Sequence, residues 1–233
     1  MTHFECEVKE INPLTEFVNQ VILQPKTEIS FIAGQYIELV LSENDKRPFS
    51  IANTPLNKQL IELQIGAAEQ DNYTSAAMEH LRNNKTVTLK GPSGKAGLRY
   101  DSHSPIILLA GGTGFSYVKS IAETLLAENL HQPVFLYWGL RNEDAAYQLN
   151  EWQSKQNEHF KFIPVIENPS SDWQGRQGNV IDAVLADFTS LHDYQIYCAG
   201  RFEMVGKARK AFLEQGLQKD KMFADAFAFM DLD

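Results

Sequence analysis

The chain has 233 residues, 43% of them apolar, which is enough for the core of one large domain or of two ordinary ones. A formal net charge of −9 excludes a general nucleic-acid partner, because phosphate backbones would be repelled over most of the surface. Any phosphate-bearing ligand must therefore find a local welcome. The only two cysteines, Cys6 and Cys198, exclude a four-thiolate iron–sulfur cluster and are expected to be free thiols. The histidines (His3, His80, His103, His131, His159, His192) show no pair at helical ligand spacing, so no metal site is expected. No apolar segment follows the opening MTHFECEVKE, and IILLA (106–110) and FLYWGL (135–140) are too short to span a bilayer. A cytoplasmic protein, neither secreted nor membrane-inserted, is the expectation.

In chain order, FECEV (4–8) alternates apolar and polar residues, VNQVILQ (18–24) is rich in β-formers, and YIELVL (36–41) is nearly continuous. A charged turn at 43–46 leads into RPFS (47–50). LIELQIG (60–66) then sets Leu60, Glu62 and Gln64 on one face and Ile61, Leu63 and Ile65 on the other. Turn chemistry at Asn12-Pro13, Gln24-Pro25, Ala33-Gly34, Asn44-Asp45 and Asn53-Thr54-Pro55 separates these runs. Short strands so spaced indicate a small antiparallel barrel or sandwich. One helix, TSAAMEHLRNN (74–84), opens on a Thr or Ser cap.

After KAGLRYDSHS (95–104) the pattern changes. Strands at PIILLA (105–110), VFLYWG (134–139), FKFIPVI (160–166) and QIYCAG (195–200) alternate with helices. The helices are expected at 116–129, 143–156, 179–188 and 203–215, and KMFADAFAF (221–229) reads as a last strand. Such alternation means parallel pairing with right-handed crossovers, a doubly wound parallel sheet. Domains at 1–98 and 99–233 are expected.

The turn in LLAGGTGFSY (108–117) joins strand to helix and offers backbone N–H groups and a positive dipole end to an anion. Gly111, Gly112 and Gly114 would let the backbone approach a pyrophosphate, although glycine turns also follow strands for purely geometric reasons, and Tyr117 stands where the dinucleotide fingerprint has its third glycine. Arg141 follows the second strand of this half, where an adenosine ribose or its 2′-phosphate could lie. Glu143 and Asp144 could accept ribose hydroxyls instead, or merely start a helix, so the choice between NADH and NADPH stays open. Cys198 ends the fourth strand at the ligand-binding edge, as packing or as chemistry. Arg47 and Ser50 are an ordinary cation and hydroxyl, unless Pro48 breaks the alternation and turns both toward one cleft. There an Arg grips phosphate or polyol oxygens and a hydroxyl donates to a ring nitrogen.

RPFS, GGTGFS and YCAGRFEM, in that order, resemble the ferredoxin-NADP reductase superfamily. Within it, AGQY (33–36), DKRPFSIA, LLAGGTGFSY, AGRFEM and DAFAF are most similar to the bacterial NAD(P)H:flavin oxidoreductases, along essentially the whole chain. The resemblance implies a six-stranded antiparallel flavin-binding β-barrel, then an NAD(P)H-binding α/β domain, with hydride passing in the cleft from nicotinamide C4 to flavin N5. It implies that Arg47, Pro48, Phe49 and Ser50 bind flavin, with the catalytic Ser50 hydroxyl near N5, and that Gln64, Ile65 and Gly66 border the ribityl side. Gly111, Gly112, Thr113, Gly114 and Phe115 match the pyridine-nucleotide turn, and Cys198, Gly200, Arg201 and Met204 match the segment flanking the nicotinamide. The superfamily's C-G-P becomes Cys198-Ala199-Gly200, and a proline usual after the glycine turn becomes Ser116.

A further departure concerns DNYTSAAM (71–78), where superfamily members that retain FAD carry a glycine followed closely by serine. Tyr73 occupies the approach and no glycine is present. A weak grip on the adenylate half follows, so riboflavin, FMN or FAD would exchange as a substrate of NADH or NADPH, with no metal and no iron–sulfur cluster. Released reduced flavin would reduce ferric complexes or supply a monooxygenase or luciferase. The rival readings are a reductase that retains FAD and passes electrons to a protein, and a non-enzymatic flavin- or nucleotide-binding module.

Overall fold

Alternation in the first part of the chain builds six antiparallel strands, β1 (Thr2–Pro13), β2 (Val18–Pro25), β3 (Tyr36–Val40), β4 (Lys46–Ser50), β5 (Ile61–Gly66) and β6 (Thr86–Ser93). The computed structural model describes residues 2–66, 72–128 and 132–230; Asp71, Asn129 and His131 lie outside them. The strands are ordered β4-β3-β6-β1-β2-β5. The two edges meet where Ala52 N donates to Glu62 O at 2.8 Å, so the sheet curls round a core that includes Cys6, Leu23, Ile37, Leu39 and Leu89. Ile61, Leu63 and Ile65 point into that core, as their alternation requires. Helix α1 (Asn72–Asn83) packs Ala77, Met78 and Leu81 against it, and begins early enough that Thr74 sits inside the first turn rather than at the cap. Strand β1 runs through Asn12-Pro13, and the turn falls at Thr15, whose Oγ1 accepts from Phe17 N at 3.1 Å and Val18 N at 3.0 Å.

The second sheet is parallel throughout: β7 (Ile106–Gly111), β8 (Val134–Leu140), β9 (Phe160–Ile166), β10 (Arg176–Gln177), β11 (Gln195–Ala199) and β12 (Met222–Phe223), ordered β10-β9-β8-β7-β11-β12. Helices α2 (Phe115–Ala127) and α3 (Leu149–Ser154) cover the face carrying Ile106, Leu108 and Ala110. Helices α4 (Val180–Asp187) and α5 (Phe202–Glu214) cover the face carrying Ile107 and Leu109. Both faces are thus buried, the reason these strands read as continuous apolar runs. Asn179 caps α4, its side chain accepting from Ile181 N at 2.8 Å.

Two expected elements are corrected. The helix anticipated over 143–156 is a 3₁₀ turn at Glu143–Ala145, a left-handed Gln148 (φ 59°) and only then α3, because Tyr147 is drawn inward to a buried partner. The strand anticipated over 221–229 stops after Phe223 and becomes a 3₁₀ segment, Asp225–Phe229. There Asp225 accepts hydrogen bonds from the backbone N–H groups of Lys95 and Ala96, pulling the chain off the sheet edge toward the barrel.

One helix joins the two sheets. Ser116, Lys119, Ser120 and Thr124 recur at three- and four-residue spacing on α2, so they share a face. Ser120 Oγ donates to Asn53 O at 2.7 Å and Thr124 Oγ1 to Thr54 Oγ1 at 3.0 Å. Lys119, 3% exposed, reaches Glu62 at 2.9 Å, Glu123 at 2.8 Å and Ala52 O at 3.3 Å. Burial alone would depress this ammonium, yet attraction to Glu62 and Glu123 raises its pKa, so it stays charged. Tyr117 OH donates to Ala96 O at 2.6 Å, and its ring packs where a Cβ on Gly34 would come within 2.9 Å. Gly34 is therefore required both by its φ of +91° and by this close approach. Among the described residues no helix is long and apolar enough to cross a membrane, and no cluster of His, Cys, Asp or Glu could hold a metal.

Replacing Tyr117 by Phe should lower the unfolding free energy by about 1–3 kcal/mol, since Ala96 O loses its buried donor; urea titration measures this. Alkaline pH should also destabilise the fold. Burial pushes the thiols of Cys6 and Cys198 up to about 12, so their neutral forms favour the folded state fully below the ordinary thiol value of 9.0, and that advantage is lost as pH rises toward about 12. Urea midpoints at increasing pH should fall above about 9, and less steeply in Cys6→Ala/Cys198→Ala.

Candidate active site at the junction of the two sheets

Strand β7 has β8 on one side and β11 on the other, which makes the C-terminal ends of β7 and β11 the switch point where open α/β sheets bind ligands. A cleft of about 1590 Å³ opens there and is closed from the opposite side by the barrel. Single-ligand pockets are typically about 300–1,000 Å³, so this cleft has room for two bound molecules. The barrel supplies Thr15 to Val18, Tyr36, Glu38, Pro48, Phe49, Ser50 and Gln64; the parallel sheet supplies Gly111 to Gly114, Arg141, Cys198, Gly200, Arg201 and Met204. Arg47, Ile65, Gly66 and Phe115 do not line it.

Each of these four has a physical reason to lie elsewhere. Ile65 points into the barrel core by strand alternation. Gly66 touches the opposing wall, where a Cβ would lie 3.0 Å from Thr113 Cγ2. Phe115 is 0% exposed and stacks on Trp138 with ring centroids 4.0 Å apart, so it supports the glycine turn from behind. Arg47 and Ser50, three apart on β4, point to different sides, since Pro48 does not reverse the alternation. Arg47 instead grips Asp45 at 2.8 and 2.6 Å, donates to Tyr73 O and lies 4.7 Å over the Tyr73 ring. Its hydrogen bond and charge hold the Asp45 carboxyl below the usual range.

The three glycines of the turn do different things. A Cβ on Gly111 would collide with Met204 Sδ of α5, and one on Gly114 would lie 2.5 Å from Ala199 O at the end of β11, so the turn nests against both. Gly112, at φ +53°, has nothing within 4 Å on its Cβ side and is the one that leaves open space for a ligand. Trp138 Nε1 donates to Gly112 O at 2.9 Å and fixes that peptide. The 3₁₀ turn Gly112–Gly114 runs straight into α2, with Phe115 N donating to Gly112 O; neither Gly111 before that turn nor Arg201 before α5 makes a side-chain cap, and both line the cleft. Arg141, Arg201 and Lys207 add positive charge, against Glu16, Glu38, Asp144, Glu167, Glu203 and Asp225 on the same walls. Side chains alone therefore do not make the cleft positive, and an anion there would have to rely on backbone N–H groups and on these few cations.

Arg141 and Asp144 line the cleft, whereas Glu143 does not and accepts through Oε1 from Ser170 N at 2.9 Å and Ser170 Oγ at 2.8 Å. Cys198 is buried in the sheet core, and burial keeps its thiol neutral, so it contributes shape rather than a nucleophile. Gln64, 5% exposed, is held in four hydrogen bonds: its Oε1 accepts from Tyr147 OH at 3.1 Å and Ser116 Oγ at 3.3 Å, and its Nε2 donates to Glu62 at 3.1 Å and Gln148 at 3.3 Å. Sequence reasoning missed Tyr36, Asp225, Ser116 and Tyr147 as cleft or near-cleft residues. Tyr36 and Asp225 lay inside the AGQY and DAFAF motifs without a role; burial raises the Asp225 carboxyl pKa despite its two backbone donors.

Residues 6–98 match the family model of the oxidoreductase FAD-binding domain, and residues 108–210 that of the oxidoreductase NAD-binding domain. An NAD(P)H-flavin reductase of Aliivibrio fischeri is 43% identical over 233 residues, covering 97% of this chain and 98% of that protein. One of Vibrio harveyi is likewise 43% identical, covering 97% and 99%. Among solved structures, the ferredoxin reductase in carbazole 1,9a-dioxygenase has a TM-score of 0.86 at 25% identity, over 97% of this chain and 69% of that one. The cytochrome b5 reductase domain of Ulva prolifera nitrate reductase has a TM-score of 0.81 at 16% identity, over 95% and 96%, a likeness of fold alone. With both nucleotide-domain models matched in order and with 43% identity along nearly the full length of its relatives, the chain belongs to the NAD(P)H-flavin reductase family, with a ferredoxin-NADP reductase-like fold.

Proposed function

We propose that the chain reduces a flavin with NADH or NADPH, the flavin entering and leaving as a substrate. The observation that carries this reading is the two-walled cleft, with Pro48, Phe49 and Ser50 on the barrel side and the glycine turn with Cys198 to Met204 on the other. A barrel domain over 1–98 would seat the flavin and an α/β domain over 99–233 the nicotinamide nucleotide. The nicotinamide and flavin bring the hydride chemistry itself, from C4 to N5, and the protein need supply no strong acid or base. What it supplies is a fixed face-to-face pose, which can contribute about 7–11 kcal/mol of barrier reduction, against about 0.5–1.5 kcal/mol for one hydrogen bond from Ser50.

Exchange of the flavin is supported by the end of the barrel groove. Tyr73, 46% exposed in the first turn of α1, lies under the Arg47 guanidinium, where a retained FAD would need room for its pyrophosphate. Arg47, engaged with Asp45 and Tyr73 and off the cleft wall, would meet a flavin only at the distal end of its side chain. Reduced flavin released into the cytoplasm suits a flavin-dependent monooxygenase or luciferase, or reduction of ferric complexes.

The deciding experiment crosses NADH and NADPH with riboflavin, FMN and FAD in a steady-state assay on protein passed through gel filtration. Colourless protein that oxidises NAD(P)H only when flavin is added is expected; yellow protein that retains FAD would favour a reductase with a protein acceptor. Ser50→Ala should lower kcat about three- to tenfold with the fold intact; unchanged turnover removes Ser50 from the reaction. Arg47→Ala should raise the flavin KM about tenfold and leave the nicotinamide KM alone; an unaltered flavin KM counts against its role.

A further inference from the structure

The glycine turn and the inner end of β5 are covalently distant but joined by a short buried path. Helix α2 starts directly after the turn, and its first polar residue, Ser116, donates to Gln64 at 3.3 Å. One turn later Lys119 reaches Glu62 at 2.9 Å, and Glu62 accepts from Gln64 at 3.1 Å and from Gln20 at 3.1 Å. Tyr147, on the segment between β8 and α3, closes the loop by donating to Gln64 at 3.1 Å. Gln64 is thus saturated by protein groups on both sides of the seam, an arrangement that a residue devoted to gripping the flavin would not need.

We propose that Gln64, with Ser116, Tyr147, Glu62 and Lys119 around it, is a positioning element that sets the separation of the two cleft walls and hence the hydride donor–acceptor distance. This rests on the function proposed above. A fully connected polar network in a dry interior has few alternative arrangements, whereas apolar contacts tolerate sliding. The seam near the cleft is the place where such definition matters, because small misplacements of reacting atoms cost large factors in rate. The walls also touch at Gly66 and Thr113, one residue beyond Ile65 on the same strand, so a shift at Gln64 is transmitted to the cleft within two residues.

The test removes both donors to the Gln64 carbonyl in Ser116→Ala/Tyr147→Phe and measures single-turnover flavin reduction by NADH and by 4-deuterated NADH. The hydride-transfer rate should fall about tenfold, with a changed deuterium isotope effect and with the KM values for NADH and flavin within about twofold. Ser116→Thr, which keeps the hydroxyl, should stay near the unaltered rate. A second variant, Glu62→Gln/Lys119→Met/Glu123→Gln, removes the three charges together so that neither carboxylate is left without its ammonium, and should show the same isotope signature. A lower melting temperature with rate and isotope effect unchanged in both variants overturns the proposal. Failure of the unaltered protein to oxidise NADH or NADPH with added flavin overturns the function it rests on, and is read in that protein alone.

Discussion

A buried ammonium holds the two halves of this protein together. Lys119 leaves water almost completely and is compensated by Glu62 from the barrel, Glu123 from its own helix and the Ala52 carbonyl. Such a group is a weak source of net stability, since desolvation offsets most of the attraction, but it punishes any arrangement that separates the partners. Its effect is specificity of docking. The remaining polar residues of the same helix face repeat the theme with neutral hydrogen bonds, and the cleft inherits its geometry from that docking.

The nucleotide wall is built with equal economy of means. Phe115 and Trp138 stack behind the glycine turn, and the indole N–H of Trp138 takes the Gly112 carbonyl, so the turn rests on an aromatic floor rather than floating as a loop. Gly111 lets it nest against Met204 of α5 and Gly114 against the end of β11, and of the three only Gly112 leaves free space. With few basic side chains on its walls, the cleft offers an anion chiefly the backbone of the Gly112–Gly114 turn and the start of α5, the kind of site open to a chain of net charge −9.

Much of this was legible in the residue pattern. Period-two alternation gave the barrel strands, continuous apolar runs gave the parallel strands, and the LIELQIG alternation gave the two faces of β5 correctly. What the pattern could not say is that the polar face of β5 is buried under α2, because Glu62 and Gln64 on a strand look solvated until their partners, more than fifty residues away, are in place. The same blindness hid that the Phe115 ring, in a motif that suggested ligand, packs in the core beneath the turn. The divergence of Arg47 from Ser50 followed from strand alternation and was obscured by the motif that names them together. The short β10 and the 3₁₀ segment at Asp225–Phe229 were hidden for another reason: tertiary hydrogen bonds, not local propensity, place them.

Several bonds across the seam share a further property. Lys119, Ser120 and Tyr117 donate to main-chain oxygens of Ala52, Asn53 and Ala96, atoms that every amino acid presents alike. Those carbonyls accept from the helix whatever side chain stands beside them, while the side chains themselves answer to the interior: Ala52, Asn53 and Ala96 are buried, and Asn53 accepts from Glu62 N and donates to Leu60 O and Thr54 O. A joint written in backbone atoms thus depends on the path of the main chain, and leaves the choice of side chain at those positions to packing inside the protein.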